Sequence, residues 1–574
     1  MKILGARDAW AMAGLGCGIA AASPWFAGDW RAAALGGVAA ALGGFTLAYP
    51  RLALAYDPVD EDRPEGFVLR SDRPYPPPKE RAGVLLGHTT ALREEVWLPD
   101  EFLVRHAALI GSSGAGKTSL GLWLMWQQLI RGGGLTFIDA KIEADNLASI
   151  VYMARALGRE ADLYVLDISD PDSHTYNPLL YGDADEVASR LLHLIPSAEN
   201  NPGADHYRQS VNHALTAIVG ALKAARRLYH FGDLVVILQS PTALDAVVRM
   251  TPPGPERMAL EVLLDKYRRP TQNSSSSAGP DPVDVTRLKD TVGGMVGRLA
   301  LFAQGTFGKI TGVYAPEIDL YEVVTNNRIL YVRLPTMAKE AAALNFAKML
   351  LSDFRSAVAR VQALPRDKRP SPPHLLFADE MGSYVMPGVS RFFEQARSGN
   401  IAILAGFQAI GQLREVSPEF ADTLMQNTWS KIMFRFGAAD SAAQAAEMIG
   451  SHRRMAYALS ASASSGEGAP FIRAAPAAHV SENEGLGESW RETEEYRVPP
   501  SKLAALGVGE CVTLIGARMY HLRVPYLRVP VDATREYVRL RHPRRTPPDQ
   551  VGLDFTRRYG QFLSGAYAEE EAAA

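Results

Sequence analysis

The stretch ALIGSSGAGKTSLGLWLMW, from Ala108 to Trp126, combines three local patterns that decide the fold class. An apolar run enters a glycine-rich turn, and the chain leaves the turn in a segment with helical periodicity. The turn fits the pattern GxxxxGK[ST], which requires a strand before it and a helix after it. Its glycines allow backbone N–H groups to surround phosphates, and the helix amino terminus adds positive potential. The stretch therefore predicts a site for a nucleotide phosphate.

The residues of this turn have separable roles in the predicted site. The phosphate-binding set is Gly111, Ser112, Ser113, Gly114, Ala115, Gly116, Lys117, Thr118 and Ser119. Lys117 is expected to reach the β- and γ-phosphates, and the hydroxyl of Thr118 to ligate Mg²⁺. ATP and Mg²⁺ are therefore the predicted cofactors.

The segment HLLFADE, from His374 to Glu380, is an apolar strand followed by two adjacent carboxylates. Asp379 is predicted to hold Mg²⁺ through water, and Glu380 to act as a general base on the attacking water. Successive strand residues point in different directions, which separates the two roles. An Asp-Glu pair alone also fits a helix start, but its place after a P-loop and intervening sheet pattern favours catalysis.

Two polar residues further along the chain suit an oligomeric ATPase. Gln408, in ILAGFQAIGQL, follows an apolar strand and is placed to sense the γ-phosphate. Arg397, in EQARSGN, ends the helix before that strand and could act on a neighbouring subunit's nucleotide as an arginine finger. The alternative interpretations are structural: Gln408 caps a strand, and Arg397 caps the carboxyl terminus of a helix.

The segment FIDAK brings Asp139 and Lys141 to the carboxyl end of the strand that follows the P-loop helix. Doubly wound sheets bind ligands at this edge. The two side chains therefore could contact nucleotide or DNA, or could form a surface ion pair.

Composition bounds the class of protein. With 574 residues and 47% apolar content, the chain is long enough for two to four domains. A net charge of -3, from 60 basic and 63 acidic residues, excludes a uniformly cationic nucleic-acid wrapper but permits a locally basic channel. The two cysteines, Cys17 and Cys511, support neither a disulfide framework nor a zinc site.

The amino terminus has two uncharged stretches, one between Asp8 and Asp29 and one between Arg31 and Arg51. Each approaches the roughly 20 residues that span a bilayer. They predict a transmembrane hairpin with both ends on the cytoplasmic side. The alternative is a cleaved signal peptide, but export would place the nucleotide site outside the cytoplasm.

The rest of the chain alternates strand and helix patterns, interrupted by a long helical region. The predicted fold class is α/β with a parallel-sheet core. The predicted parts are a transmembrane hairpin (1–55), a polar proline-rich linker (56–82), the α/β domain (83–177 and 312–535), an inserted all-α domain (178–311) and a flexible tail (536–574). Within the α/β domain, the low-complexity run ALSASASSGEGA predicts a loop.

An ordered series of motifs resembles the membrane-anchored coupling proteins of type IV secretion and conjugation, of the TraG/TraD kind. The series comprises the hairpin, RHAALIGSSGAGKTS, FIDAK, YNPL at Tyr176 to Leu179, the helical insertion, LLFADE, ARSGNIAILAGFQAIGQL and MQNTWSKIMFRFG. It covers roughly residues 105–450 and the hairpin. The P-loop and the Asp-Glu pair occur in many ATPases, whereas YNPL and the GFQ context are more specific.

The resemblance implies a RecA-like P-loop NTPase domain with an all-α insertion, assembled as a homo-hexameric ring. Family members lie in the bacterial inner membrane as multi-pass proteins with the ATPase domain in the cytoplasm. They recruit relaxase-bound DNA, single-stranded or double-stranded, or protein effectors to the type IV secretion channel, and ATP hydrolysis drives translocation.

Individual residues of the family's motifs also match positions in this sequence. Lys117 and Thr118 match the phosphate and Mg²⁺ residues, and Asp379 and Glu380 match the Walker B pair. Gln408 matches the motif III glutamine. Arg397 matches the proposed trans-acting arginine. Two features depart from the family: the turn between the two spans is short, and the tail has no matching motif.

Two other functions fit part of the sequence. One is an FtsK/HerA-like pump for double-stranded DNA. No winged-helix module is recognisable after Pro530, which counts against the FtsK form of this alternative. The other is a receptor for protein effectors that does not pump DNA.

Overall fold

The computed structural model describes residues 67–68, 82–195, 202–268, 283–385, 389–415, 417–466, 481–530, 537–544, 546–547 and 549–560. The predicted transmembrane hairpin and most of the predicted linker lie outside these residues. Within the described part, no single helix is long and apolar enough to cross a membrane. The pair Phe231–Gln239 and Pro241–Met250 meets those criteria only together, with a bend of 111° between its members.

The strands are numbered in chain order. They are β1 (Phe67–Val68), β2 (Gly83–Thr89), β3 (Glu95–Pro99), β4 (Ala107–Ile110), β5 (Leu135–Asp139), β6 (Leu163–Asp167), β7 (Arg227–Leu228), β8 (Ile329–Arg333), β9 (His374–Ala378), β10 (Ile401–Phe407), β11 (Ser430–Met433), β12 (Ser451–Gly466), β13 (Ser481–Tyr496), β14 (Glu510–Ile515), β15 (Arg518–Arg523), β16 (Leu527–Arg528) and β17 (Val551–Gly552).

The α-helices are numbered in the same way. They are α1 (Asp100–Leu103), α2 (Lys117–Ile130), α3 (Ala144–Ala156), α4 (Ala184–Leu192), α5 (Pro202–Ala224), α6 (Phe231–Gln239), α7 (Pro241–Met250), α8 (Pro255–Asp265), α9 (Val285–Ala303), α10 (Gly305–Thr311), α11 (Leu320–Thr325), α12 (Thr336–Gln362), α13 (Val389–Ala396), α14 (Gly411–Arg414), α15 (Pro418–Asn427), α16 (Ala439–Ile449) and α17 (Pro500–Ala504).

An eleven-stranded sheet forms the centre of the larger of two compact units, in the order β3-β2-β15-β14-β11-β4-β10-β9-β5-β8-β6. From β11 to β6 all neighbouring strands are parallel. The other four strands extend the sheet in antiparallel pairs. The predicted α/β fold with a parallel-sheet core is confirmed, although the sequence pattern does not predict the hairpin of β2 and β3.

The parallel strands form because their sequences are almost uninterrupted apolar runs. Strand β4 reads AALI, β9 reads HLLFA and β10 reads IAILAGF, and every residue in them is buried. Strands covered by helices on both faces have this composition. Their parallel pairing places the carboxyl ends of β4, β9 and β10 side by side along one edge of the sheet.

The chain leaves the sheet at YNPL and returns to it near Val313. The side-chain amide of Asn177 donates to the backbone oxygens of Tyr229 and Val313, at 3.0 and 2.9 Å. Tyr176 donates its hydroxyl to Asp353 at 2.6 Å, and Asp353 also pairs with Arg190 at 2.9 Å. The side chains of Tyr176, Asn177, Arg190 and Asp353 are buried, so YNPL fastens the start and end of the helical insertion to helix α12.

Residues between the two halves of the sheet are helical. Helices α4 to α10 lie between Ala184 and Thr311, with β7 as a two-residue strand among them. A capping box, in which Asp183 and Glu186 exchange hydrogen bonds, begins α4. The predicted all-α insertion therefore has helices over most of its described length.

A second compact unit comprises Arg435–Leu506, within the region that the sequence analysis assigns to the α/β domain. It contains α16, α17 and the antiparallel ribbon of β12 and β13. These strands pair with each other and not with the central sheet. The predicted loop ALSASASSGEGA lies largely within β12. Its serine and alanine content is typical of loops, but from Ser460 to Ser464 the two residue types alternate with the period of a strand.

The segment 537–560 is a further correction, because the sequence predicts a flexible tail there. His542 donates its backbone N–H to Glu317 at 3.1 Å, and its ring stacks on Tyr164 with centroids 3.7 Å apart. Strand β17 pairs with β7, and Phe555 is fully buried. The sequence does not predict these contacts, because the segment is mostly basic and proline-rich and only a few of its side chains are buried.

Candidate nucleotide-binding site

The loop between β4 and α2 has the backbone conformation that its glycines permit. Gly114 and Gly116 have φ values of 72° and 116°, a region that favours glycine. A Cβ on Gly116 would lie 3.1 Å from the backbone of Gly509, whose N–H donates to Ala115 at 3.0 Å. The turn before β14 therefore braces the P-loop, which is a contact that the sequence motif does not reveal.

Lys117 begins helix α2 and is 4% exposed. Its ammonium donates to the backbone oxygens of Gly111 at 2.5 Å and Ser112 at 3.1 Å. Burial lowers the pKa of Lys117, although the charges of Glu380 and Asp379 oppose this shift. The cation is therefore held inside the loop, at the start of a helix whose first N–H groups have no acceptor within the helix.

Thr118 and Asp379 meet at the carboxyl edge of the sheet. The hydroxyl of Thr118 donates to Asp379 at 3.0 Å. Asp379 is fully buried, and burial raises the pKa of its carboxyl group, against the effect of the nearby Lys141. Tyr384 donates its hydroxyl to the backbone oxygen of Asp379 at 2.8 Å, which fixes the end of β9.

Glu380 lies between two side chains that hold its carboxylate. Lys141 pairs with one oxygen at 2.8 Å, and the side-chain amide of Gln408 donates to the other at 2.8 Å. Glu380 has a φ of 51°, so the chain turns sharply after Asp379 and the two carboxylates diverge. A single 3₁₀ turn, Met381–Ser383, follows Glu380. The backbone therefore does begin a helical turn there, but the side chain of Glu380 does not cap it.

Contact of Lys141 with nucleotide or DNA stays a prediction, but Asp139 corrects the other interpretation of FIDAK, which is a surface ion pair. It is fully buried, and its oxygens accept from the backbone of Lys141 and Ile142 and from the side chains of Asn146 and Tyr331. The pair is therefore no surface ion pair: Asp139 shapes the loop after β5, and Lys141 is directed to Glu380. Burial lowers the pKa of Lys141, but its hydrogen bond with Glu380 and the surrounding carboxylates outweigh burial and raise it.

Gln408 follows β10, and its side chain is exposed apart from the contact with Glu380. Its backbone N–H donates to Gln412 at 3.1 Å. The structure therefore brings Gln408 together with Lys117, Thr118, Asp379 and Glu380. Ser119 lies in the first turn of α2.

Arg397 does not join this group. It lies in a short 3₁₀ turn before β10, whereas Gln408 follows the end of that strand. Seven strand residues span about 20 Å, so Arg397 lies at the opposite edge of the sheet from its own P-loop. Its side chain is exposed, and its charge adds to the larger effect of burial in lowering the pKa of nearby His106.

The residues present fit a magnesium–nucleotide complex. The described residues contain no group of three or more histidine, cysteine, aspartate or glutamate side chains arranged to hold a metal ion. Mg²⁺ does not need such a cage, because it is bound by one or two protein oxygens with water and phosphate completing the shell. Thr118 and Asp379 supply such oxygens beside a loop built for phosphates.

Sequence reasoning missed Lys141 as the partner of Glu380, and Gly509 as the support of the P-loop. The first had a usable signal. Strands β5 and β9 are neighbours in parallel register, so FIDAK and LLFADE end at the same place. The contact of Gly509 had no such signal, because Gly509 precedes β14, a strand of the antiparallel extension that the sequence pattern does not place beside the P-loop.

Known proteins resemble this chain in sequence and in fold. A family model described as the TraM recognition site of TraD and TraG matches residues 373–506. The type 4 coupling protein DotL of Legionella pneumophila is 25% identical over 398 residues, which are 62% of this chain and 50% of DotL. The chain thus spans about half the length of this curated relative.

Two solved structures are similar in fold. The bacterial conjugative coupling protein TrwBdeltaN70, in its unbound monoclinic form, has a TM-score of 0.50 at 14% identity, with 82% of this chain and 91% of that chain covered. The plasmid coupling protein TrwB in complex with ADP and Mg²⁺ has a TM-score of 0.51 at 14% identity, with 79% and 92% covered. Together with DotL and the family model, they confirm the resemblance to coupling proteins of type IV secretion.

Proposed function

We propose that this relative of the type IV coupling proteins is a bacterial inner-membrane ATPase that delivers relaxase-bound DNA to a type IV secretion channel. The observation that supports it most is the meeting of Lys117, Thr118, Asp379, Glu380 and Gln408 at one edge of the sheet. These residues have the chemistry of ATP hydrolysis. The similarity to DotL, a type 4 coupling protein, and to the TraD/TraG family model supports the secretion-channel and relaxosome partners, and the experiment below tests DNA as the cargo.

The proposed reaction uses the side chains as the structure arranges them. Lys117 would exchange its two loop oxygens for phosphate oxygens, and Thr118 and Asp379 would hold the cation. Bound ATP would supply the β–γ phosphate bond that water cleaves to give ADP and phosphate, and Mg²⁺ would supply a divalent charge that stabilises the ADP leaving group. Glu380 accepts a proton from the attacking water, while Lys141 and Gln408 hold the two oxygens of its carboxylate.

The proposed assembly is a homo-hexameric ring anchored by the amino-terminal hairpin. The position of Arg397 supports it. This exposed arginine lies far from its own P-loop, so it can act on a phosphate only when another subunit presents one. The match of residues 373–506 to a TraM recognition model supports a relaxosome protein of the TraM kind as a partner of this region.

The test uses the full chain in detergent. ATP turnover is measured with single-stranded DNA, double-stranded DNA or no DNA over a range of salt concentrations. DNA is expected to stimulate turnover, with an effect that weakens as salt rises. Glu380→Gln is expected to bind nucleotide and to lose about 10²- to 10⁴-fold of turnover, whereas Lys117→Ala loses binding as well.

The outcomes separate the alternatives. Stimulation by double-stranded DNA alone indicates an FtsK/HerA-like pump. ATP turnover without any DNA binding at low salt contradicts DNA delivery and indicates an effector receptor.

The trans role of Arg397 has its own experiment. Arg397→Ala and Glu380→Gln chains are each inactive under the proposal, but a mixed ring contains interfaces with an intact Glu380 facing an intact Arg397. Partial recovery of turnover on mixing is expected. Activity of Arg397→Ala chains equal to that of the parent chain contradicts the finger.

A further inference from the structure

A cleft lies where the helical insertion meets helix α12. Its volume is about 480 Å³, and we call it the junction cleft. It is lined by His193 after α4, by Gly294, Gly297 and Arg298 on α9, and by Asn345 and Lys348 on α12. None of the nucleotide-site residues lines it, so it is a separate feature of the larger unit.

The charges around the junction cleft are mainly positive. Burial and the charges of Arg355, Arg208, Lys348 and Arg190, in that order, lower the pKa of His193 to about 4. Arg190 is neutralised by Asp353 at 2.9 Å, and Arg355 feels the charge of Glu186. The cations that line the cleft itself, Arg298 and Lys348, are therefore the ones that can attract an anion into it.

Lys348 and Arg298 are the cations that line the cleft itself. Burial alone lowers the pKa of Lys348, with no carboxylate raising it. Arg298 donates one guanidinium nitrogen to the backbone of Gly294 at 3.0 Å, an acceptor on its own helix. Both side chains keep donors for a ligand, because an ammonium has three and a guanidinium five.

The floor of the cleft is open because α9 has glycines there. A Cβ on Gly297 would meet nothing within 4 Å, whereas one on Gly294 would lie 2.7 Å from the hydroxyl of Tyr207. That hydroxyl is buried and has no hydrogen-bond partner among the described residues. A buried hydroxyl without a partner is unfavourable, and a ligand acceptor that reaches over Gly294 would pair with it.

We propose that the junction cleft is a second phosphate-binding site, which takes a phosphate group from a nucleic-acid strand or from a free nucleotide. Its volume is within the range of small-molecule sites. Lysine and arginine are the usual phosphate partners, and the glycine floor admits a phosphate close to the backbone. If the phosphate belongs to a nucleic-acid strand, the proposal rests on the proposed function. If it belongs to a free nucleotide, the proposal is independent of that function.

The experiment uses the full chain in detergent with Lys117→Ala, so that the P-loop no longer holds nucleotide. Binding of a fluorescent oligothymidylate and of fluorescent ADP is measured by anisotropy at several salt concentrations. Gly297→Glu places a carboxylate on the open floor without removing a packed side chain. It is expected to weaken binding about tenfold or more and to leave thermal stability unchanged or higher.

Two further variants sharpen the result. Arg298→Ala with Lys348→Gln is expected to weaken binding and to reduce the dependence on salt by one to two phosphate contacts, about one unit of slope each. Lys289→Ala, on the same helix but outside the cleft lining, is the matched control and is expected to bind normally.

Each outcome decides the proposal. Loss of oligothymidylate binding supports the site with a strand as the source, and loss of ADP binding supports it with a free nucleotide. Unchanged affinity for both probes in Gly297→Glu overturns the proposal. The proposed function is decided separately, by DNA-stimulated ATP turnover in the chain with an intact P-loop.

Discussion

At the scale of single residues, Lys141 is the side chain whose role changes most between sequence and structure. Its ammonium lies 2.8 Å from Glu380 and keeps the proposed base in one orientation. We expect Lys141→Met to lower kcat about tenfold, because a misdirected base loses part of its effect. KM for ATP is expected to stay nearly constant, and Lys141→Arg to recover part of kcat.

Steady-state kinetics of these two variants separates positioning from binding. If KM rises while kcat stays unchanged, Lys141 contacts the nucleotide and does not position Glu380.

His106 gives a residue-scale prediction for stability. Its ring nitrogens lie 2.8 Å from the backbone oxygen of Phe393 and 3.2 Å from the N–H of Ile403, an arrangement that suits the neutral ring. Burial lowers its pKa from 6.5 to about 4. Between these values the unfolded chain binds more protons, so His106 lowers stability as pH falls, by about 2 kcal/mol at pH 5.

The measurement compares melting temperatures at pH 7.5 and pH 5.0. His106→Gln keeps a polar side chain that cannot become charged, so its loss of stability over this interval is expected to be smaller than that of the parent chain. Equal losses would remove His106 as a cause of acid sensitivity.

The sequence predicts which single residues lie together where a motif restricts their chemistry. Lys117, Thr118, Asp379 and Glu380 follow from the residues themselves, because phosphate and Mg²⁺ binding restrict the side chains that can serve. The roles of Lys141 and Asp139 cannot be predicted in this way, because they depend on β5 and β9 being neighbours in the sheet. Whether Arg397 works in trans stays a prediction, because one chain contains only half of that contact.

At the scale of elements, the contact between α2 and β9 sets the distance between the two halves of the site. A Cβ on Gly121 of α2 would lie only 2.4 Å from the ring of Phe377 on β9. Gly121→Ala is therefore expected to push the helix off the sheet and to cost about 1–3 kcal/mol of stability. It also moves Thr118 away from Asp379, so nucleotide affinity falls.

Gly293 of α9 provides the matched control, because a Cβ there would meet nothing within 4 Å. Gly293→Ala is expected to raise stability by about 0.5–1 kcal/mol, since alanine loses less backbone freedom in a helix. Thermal melting with and without nucleotide measures both variants. A Gly121→Ala chain as stable as Gly293→Ala contradicts the close contact.

Strands that are buried on both faces can be predicted from the sequence. Strands whose pairing depends on a distant partner, and not on an apolar run, cannot. Strands β4, β9 and β10 are apolar runs bounded by polar turns, which is a local signal. The ribbon of β12 and β13 is rich in serine, alanine, glycine and glutamate, so its pairing depends on the partner strand and not on apolar composition. The same holds for β17, whose two residues are a strand only because β7 lies beside them.

At the scale of the whole molecule, the segment 537–560 ties the edge of the sheet to the helical insertion. His542 stacks on Tyr164 of the edge strand β6, and Phe555 is buried farther along. Phe555→Ala is expected to cost about 3–5 kcal/mol and to make trypsin cleave this basic segment sooner. Arg557→Lys is the control, because that side chain is 85% exposed and lysine keeps the trypsin site.

Limited proteolysis with melting curves checks this prediction. Equal cleavage rates and melting temperatures for the two variants would mean that the segment does not hold the sheet and the helices together.

The order of the central strands also has a consequence for how the protein is made. Strand β4 and the P-loop leave the ribosome early, but their neighbours β10 and β11 are synthesised much later, and Gly509 later still. Until then β4 has neither flanking strand, and its apolar edges are open to wrong pairing. If the chain binds ATP as proposed, we expect a nascent chain to hold it only after most of the chain has been translated. Nucleotide retention by ribosome-bound intermediates would report when the central sheet closes.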